Sequence, residues 1–274
     1  MKSITETTTL NNGVKMPWLG LGVYKAEDGN EVAEAIKEAV RVGYRSIDTA
    51  SVYKNEEGVG QAIHEIDVPR EDLFITTKVW NDQQGYEETL KAFEESRQKL
   101  GVEVVDLYLV HWPVTGKFLD TWKALEKLYK DGKVRAIGVS NFKVHHLEAL
   151  LKEAKVVPVV NQVEYHPLLT QPELHNYCKE KGIQLEAWSP LTRGRIFEDN
   201  RLTAMSEKYG KTPAQIILRW DLENEVVTIP KSVTPSRIQA NAEIFDFQLE
   251  REDVEKLNSM NQNHRFGADP DEFV

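Results

Sequence analysis

Eight short apolar runs recur along this chain, each followed by a longer segment with apolar residues at helical spacing. That alternation limits the fold more than any other feature. The runs lie at 19–22, 46–48, 73–77, 105–110, 136–139, 159–163, 184–187 and 226–229. Between them, 31–42 places Val32, Ala35, Ile36, Ala39 and Val40 on one face, and 86–100 and 121–129 follow the same pattern. Short strands alternating with helices build a parallel sheet covered on both faces. Eight such units close into a single (β/α)8 barrel (a TIM barrel), which takes about 250 residues. An open doubly wound sheet is the rival, but no G-x-G-x-x-G follows the first run, so that fold's phosphate-binding turn is missing. Ahead of the first run, Asn12-Gly13 separates 8–10 from 14–16 and predicts a β-hairpin, because both residues tolerate positive φ. The hairpin is expected to close the barrel's bottom. No linker or shift of composition interrupts the pattern, so residues 1–274 are read as one barrel domain.

Charge and composition exclude several classes of function. The formal net charge is -10, which argues against nonspecific binding to nucleic acid or to an anionic membrane. Any positive patch must be local, and suits a small anionic ligand. Cys178 is the only cysteine, so no intramolecular disulfide is possible, in agreement with a reducing compartment. The first ten residues are rich in Thr and Glu and lack the apolar core of a secretory signal. No apolar run approaches the ~18 residues of a membrane span. A cytoplasmic location is expected. His145 and His146 are adjacent and so do not share a helix face; with no third ligand evident, no metal is expected.

In such a barrel the chemistry collects at the C-terminal ends of the strands. Asp48 stands at the end of the second run, Lys78 follows the third and His111 the fourth. Ser140 and Asn141 follow the fifth, Gln162 closes the sixth, Trp188 and Ser189 follow the seventh, and Lys231 and Ser232 the eighth. Singly, each has an ordinary explanation: a cap, a loop aromatic, a surface charge, a core histidine. Together they hold the parts that carbonyl reduction needs. A phenol with its usual pKa of about 10 is a poor acid at neutral pH. A nearby ammonium favours the phenolate and lowers that pKa. A carboxylate keeps the ammonium charged, and an imidazole orients the carbonyl oxygen. Tyr53, Lys78, Asp48 and His111 are the candidates for these tasks.

Longer motifs surround the same residues. Stretch 43–60 reads GYRSIDTASVYKNEEGVG and holds Asp48 and Tyr53; 76–80 reads TTKVW and holds Lys78; 106–113 reads DLYLVHWP and holds His111. Stretch 136–142 reads AIGVSNF, and 229–232 reads IPKS, with Arg237 and Asn241 following. In this order the motifs resemble the signatures of the aldo-keto reductase superfamily, from about Leu10 to near the C-terminus, in its small bacterial branch. The resemblance implies reversible hydride transfer between NADPH and an aldehyde or ketone, with Tyr53 as proton donor, Lys78 and Asp48 lowering its pKa, and His111 orienting the carbonyl. It implies that Ser140, Asn141 and Gln162 hold the nicotinamide carboxamide and that Trp188 stacks on the ring. Lys231, Ser232 and Arg237 would hold the adenosine 2′-phosphate, favouring NADPH over NADH, and Asn241 the adenine. Gly22, Val23 and Tyr24 line the mouth after the first strand, while Ser189, Leu191 and loop 192–195 border the pyrophosphate. Tyr24, Trp80, His111 and Trp112 would wall the substrate pocket.

Two positions depart from the family pattern. Ala240 precedes Asn241 where many relatives carry an acid, which weakens one adenine contact. Tyr24 stands where many have Trp, which alters the pocket's shape. The resemblance implies a monomer acting on a small carbonyl substrate: α-dicarbonyls such as methylglyoxal and glyoxal, plus other small aldehydes. Keto-sugar acids of the 2,5-diketo-gluconate kind, or aldoses, are the alternative substrates. A cofactor-sensing binding subunit with little turnover and a cofactor-free barrel isomerase are the alternative functions. Loop 263–273 resembles the family's variable C-terminal loop.

Overall fold

The computed structural model describes residues 1–273. The chain opens with the expected hairpin, β1 (Thr7–Thr9) against β2 (Lys15–Pro17), antiparallel with Thr8 opposite Met16. Eight parallel strands follow: β3 (Leu21–Gly22), β4 (Ser46–Asp48), β5 (Phe74–Val79), β6 (Val105–Val110), β7 (Val134–Ser140), β8 (Val160–Glu164), β9 (Gln184–Trp188) and β10 (Val227–Thr228). Each pairs with its sequence neighbour from β3 to β10. The first and last strands then meet through parallel bridges, Leu19 with Thr228 and Gly22 with Lys231, which close the barrel. Closure demands a small residue at 22, since a Cβ there would lie 2.8 Å from the Ile229 carbonyl oxygen.

Alternation along each strand divides the core in two. Residues facing outward pack beneath the helices: Ile75 and Thr77 of β5, Tyr108 and Val110 of β6, Leu185 and Ala187 of β9. Residues facing the lumen build its layers. The lower layer is apolar, with Phe74, Leu107, Leu109, Ala136, Val160 and Val227 in one cluster. Leu10 and Met16 from the hairpin join that cluster and seal it from below. Thr8 Oγ1 donates to Gln184 Oε1 at 3.1 Å, and Asn12 Nδ2 to the Arg135 carbonyl at 3.0 Å, which seats the hairpin on the barrel floor. Higher in the barrel the lumen turns polar, with Asp48 of β4, Lys78 of β5, Gln162 of β8 and Glu186 of β9, all buried.

The helices run close to their expected bounds. The first is Asn30–Arg41, with Val32, Ala35, Ile36 and Ala39 buried, and the third α-helix, Tyr86–Leu100, has the bounds that its periodicity predicts. Four of the strands end later than the apolar runs suggest. Lys78, Ser140 and Trp188 belong to their strands rather than following them, and β8 continues past Gln162 to Glu164. Ladder hydrogen bonding carries a strand through polar residues as long as the lumen gives them partners. Among the described residues no helix is long and apolar enough to cross a membrane.

Candidate active site

The upper lumen layer brings together residues from β4, β5 and the loop after β4. Lys78 is fully buried, and its ammonium donates to Asp48 Oδ1 at 2.6 Å, to the Thr49 carbonyl at 2.9 Å and to the Tyr53 hydroxyl at 3.4 Å. Tyr53 closes a short 3₁₀ turn, Ser51–Tyr53, and Lys54 behind it takes a left-handed conformation at φ 54°. That turn swings the phenol back over the lumen, half-buried, with the ammonium 5.0 Å from its ring centre. Burial alone would push Lys78 down, but Asp48 and Tyr53 outweigh it and hold the ammonium above its usual value. The Tyr53 hydroxyl departs from expectation. Burial raises it, Lys78 lowers it only in part and Asp48 raises it again, so the phenol stands above its usual pKa rather than below. Desolvation of the phenolate is the larger effect.

His111 follows β6. Its ring meets Trp80 edge-on, with centres 5.0 Å apart, and Tyr53 at 5.9 Å. Nδ1 is buried without a hydrogen-bond partner. Burial and the Lys78 charge hold the imidazole well below its usual pKa, so it is neutral at pH 7. Tyr24 is exposed and lies against Tyr53, centres 5.0 Å apart. Trp112 is buried and packs on Phe273 at 4.5 Å.

The residues expected at the nicotinamide lie on neighbouring strand ends. Asn141 is left-handed at φ 63° and Ser189 at φ 51°, and such strain in non-glycine residues gathers at functional faces. Asn141 Nδ2 donates to the His111 carbonyl at 3.0 Å, and its Oδ1 accepts from Trp188 Nε1 at 2.8 Å. Ser140 Oγ donates to the Gln162 carbonyl at 2.7 Å. Gln162 Nε2 donates to Asp48 Oδ2 at 2.7 Å. Val23 is buried and its N–H donates to the Asp48 carbonyl at 3.1 Å. Leu191 is half-buried and precedes the turn Thr192–Gly194.

The residues present fit a phosphorylated dinucleotide. A cleft beside Trp188 and Ser189 is lined by Thr192, Arg193 and Arg195, and Thr192 Oγ1 is buried there without a partner. Lys231 and Arg237 are exposed, with no ion-pair partner among the described residues. Ser232, next to the Lys231 bridge at the barrel's seam, is buried, and Asn241 is buried in the helix Pro235–Ala242.

Three residues were missed in the sequence. Glu186 lies fully within the lumen and accepts from Gln162 Nε2 at 2.9 Å. Glu164 accepts from the Phe266 N–H at 2.7 Å, the Gly267 N–H at 3.0 Å and pairs with His166 at 2.9 Å, so it anchors the C-terminal segment. That anchor lays Phe273 against Trp112 and Trp80, as a further pocket wall. Alternation held the signal: Gln162 and Glu164, like Glu186 and Trp188, are two apart and share the lumen face.

His145 and His146 do converge on a third group, contrary to expectation. Their Nε2 atoms lie 2.9 and 3.3 Å from Asp271 Oδ1. His146 Nδ1 accepts the Lys143 N–H at 3.0 Å, which places the neutral ring's proton on Nε2. A protonated nitrogen has no lone pair for a metal. Lys143 also holds Asp269 and Asp271 at 2.6 Å each, so the cluster is a clasp on the C-terminal segment.

A family profile described as "Aldo/keto reductase family" matches residues 18–262. Glyoxal reductase of Bacillus subtilis is 60% identical over 272 residues, covering 99% of each chain. Methylglyoxal reductase DkgA of Salmonella typhimurium is 49% identical, covering 96% of each. Among solved structures, a mutant of Gox0644 in complex with NADPH superposes with a TM-score of 0.92 at 45% identity, covering 97% of both chains.

Proposed function

The chain belongs to the aldo/keto reductase family, and from that premise we propose that it reduces small aldehydes and ketones with NADPH, using Tyr53 as the proton donor. It is an NADP(H)-dependent oxidoreductase. Its proposed substrates are α-dicarbonyls such as glyoxal and methylglyoxal, the compounds for which two of its relatives are named. One observation carries the reading: a buried ammonium, held by Asp48 at 2.6 Å, stands 3.4 Å from the Tyr53 hydroxyl.

NADPH, when bound, supplies the hydride that reaches the carbonyl carbon. The protein's task is to meet the charge that then develops on oxygen. Tyr53 keeps its proton in the resting site because burial raises its pKa. An alkoxide is a far stronger base than a phenolate, so the proton moves as that charge develops. Lys78 stabilises the phenolate left behind, and the Asp48 carboxylate keeps Lys78 charged in a dry lumen. Neutral His111 offers an N–H to the carbonyl oxygen, and Trp80 braces its ring edge-on. Lys231, Ser232 and Arg237 are proposed to take the 2′-phosphate, Ser189, Leu191 and Thr192 to border the pyrophosphate, and Ser140, Asn141 and Gln162 to seat the carboxamide. Gly22, Val23, Trp188 and Asn241 complete the proposed cofactor contacts. Tyr24, Trp80, Trp112 and Phe273 leave a mouth walled by aromatic rings, suited to a short substrate.

The test is the loss of NADPH absorbance with a panel of glyoxal, methylglyoxal, simple aldehydes, keto-sugar acids and aldoses. The reading expects the highest kcat/KM on the dicarbonyls. Turnover confined to keto-sugar acids or aldoses overturns the substrate assignment, and tight NADPH binding without turnover on any carbonyl overturns the reductase assignment.

A further inference from the structure

Glu186 takes no part in the proton transfer above, yet it sits in the same polar layer. Its Oε2 accepts from Gln162 Nε2 at 2.9 Å, and that nitrogen also donates to Asp48 Oδ2 at 2.7 Å. An amide nitrogen has two hydrogens and accepts nothing. Both Gln162 hydrogens are therefore committed, to carboxyl groups on two different strands. Reversing the amide would aim its oxygen at the Asp48 carboxylate that pairs with Lys78, so its orientation is set. What remains of Gln162 is Oε1, an acceptor that no described protein donor reaches. Its neighbours are already engaged: Asn141 Oδ1 accepts from Trp188 Nε1, and Ser140 Oγ donates to the Gln162 carbonyl and accepts from Asn141 Nδ2.

We propose that Glu186 is a positioning residue: with Asp48 it clamps the Gln162 amide so that Oε1 is presented as the acceptor for the carboxamide NH2 of the nicotinamide. This rests on the reading that the chain binds NADPH with Gln162 beside that group. The clamp does not require a charge on Glu186. Burial and the Asp48 charge hold its carboxyl above the usual range, and either protonation state accepts through Oε2.

The experiment compares two oxidised dinucleotides by calorimetric titration: NADP+ and its 3-acetylpyridine analogue, in which a methyl group replaces the carboxamide NH2. The wild type is expected to prefer NADP+ by about three- to tenfold, the worth of one neutral hydrogen bond. Glu186→Leu removes the second clamp, and the preference should fall to near one through weaker NADP+ binding alone. Glu186→Gln retains an accepting oxygen and should restore it. Should the Leu variant fail to fold, Glu186→Asp, too short to reach Gln162, serves the same comparison. A wild-type preference retained in the Leu or Asp variant, or no preference in the wild type, overturns the proposal. Failure of the wild type to bind either dinucleotide overturns the cofactor reading beneath it instead.

Discussion

Replacing Lys78 with Met would leave the hydrocarbon stem nearly filled and remove one charge from the lumen. The ammonium is fully buried, 2.6 Å from Asp48 Oδ1. At that separation the attraction is on the order of 6 kcal/mol for an effective dielectric near 20. Removing one partner of a buried pair typically costs about 3–5 kcal/mol, because the other charge stays behind. For a chain of this size that lowers Tm by roughly 6–20 °C. The loss should also depend on pH. The Glu186 carboxyl is already raised by burial and Asp48, and the Lys78 charge pulls it back; without Lys78 it rises further. Below its ordinary value of 4.5 the folded and unfolded chains both hold that proton, so nothing is lost. Above 4.5 the unfolded chain releases the proton first, and stability falls as pH rises; wild type and variant share that fall up to the wild-type folded value of about 8, and above it only the variant goes on losing stability. Each added unit of that window costs about 1.4 kcal/mol. Urea unfolding at pH 7 and at about pH 9.5 measures both effects, and the penalty should be larger at the higher pH. The double variant Lys78→Met, Asp48→Asn removes the stranded anion and should regain at least about 2 kcal/mol. A single-variant cost under about 1 kcal/mol at the higher pH, or a double variant no more stable than the single, refutes the reasoning.

Arg237→Ala should weaken NADPH binding by about ten- to a hundredfold, the worth of a charge-assisted contact, and leave NADH nearly unchanged; equal loss for both in a fluorescence titration removes Arg237 from the 2′-phosphate. Gly267→Ala introduces no backbone strain, but its methyl would collide with Trp188 and lie 3.0 Å from Glu164 Oε2. Overpacking of that kind costs about 1–3 kcal/mol. Either the indole tilts or the C-terminal segment lifts. Altered tryptophan fluorescence with weaker NADPH binding is expected, and wild-type values for both would show that the indole's position does not matter.

How much was legible in the sequence follows from the range of each interaction. The eight strands were visible because outward residues such as Ile75, Tyr108 and Leu185 are apolar to suit helix cover. Asp48, Lys78 and His111 stood out because each breaks an apolar run at its end. Glu186 did not, since a carboxylate inside a strand reads as a solvent-facing residue until the lumen is known to be polar. Its partner lies in another strand. The C-terminal segment was harder still. Phe266 and Gly267 bond to Glu164, more than a hundred residues away, and no local pattern encodes that pairing. The direction of the Tyr53 shift failed for a similar reason: motifs place Lys78 beside the phenol, but the opposing effect of burial depends on the whole barrel.

The central claim is that Tyr53 delivers the proton to the carbonyl oxygen. Its most direct test is kcat for methylglyoxal reduction by Tyr53→Phe, measured beside NADPH affinity in the same preparation. General-acid catalysis contributes about a hundred- to ten-thousandfold. The account predicts a loss of that size with cofactor affinity unchanged, since the ring remains and only the hydroxyl is removed. Turnover near that of the wild type, with NADPH still bound, would contradict it.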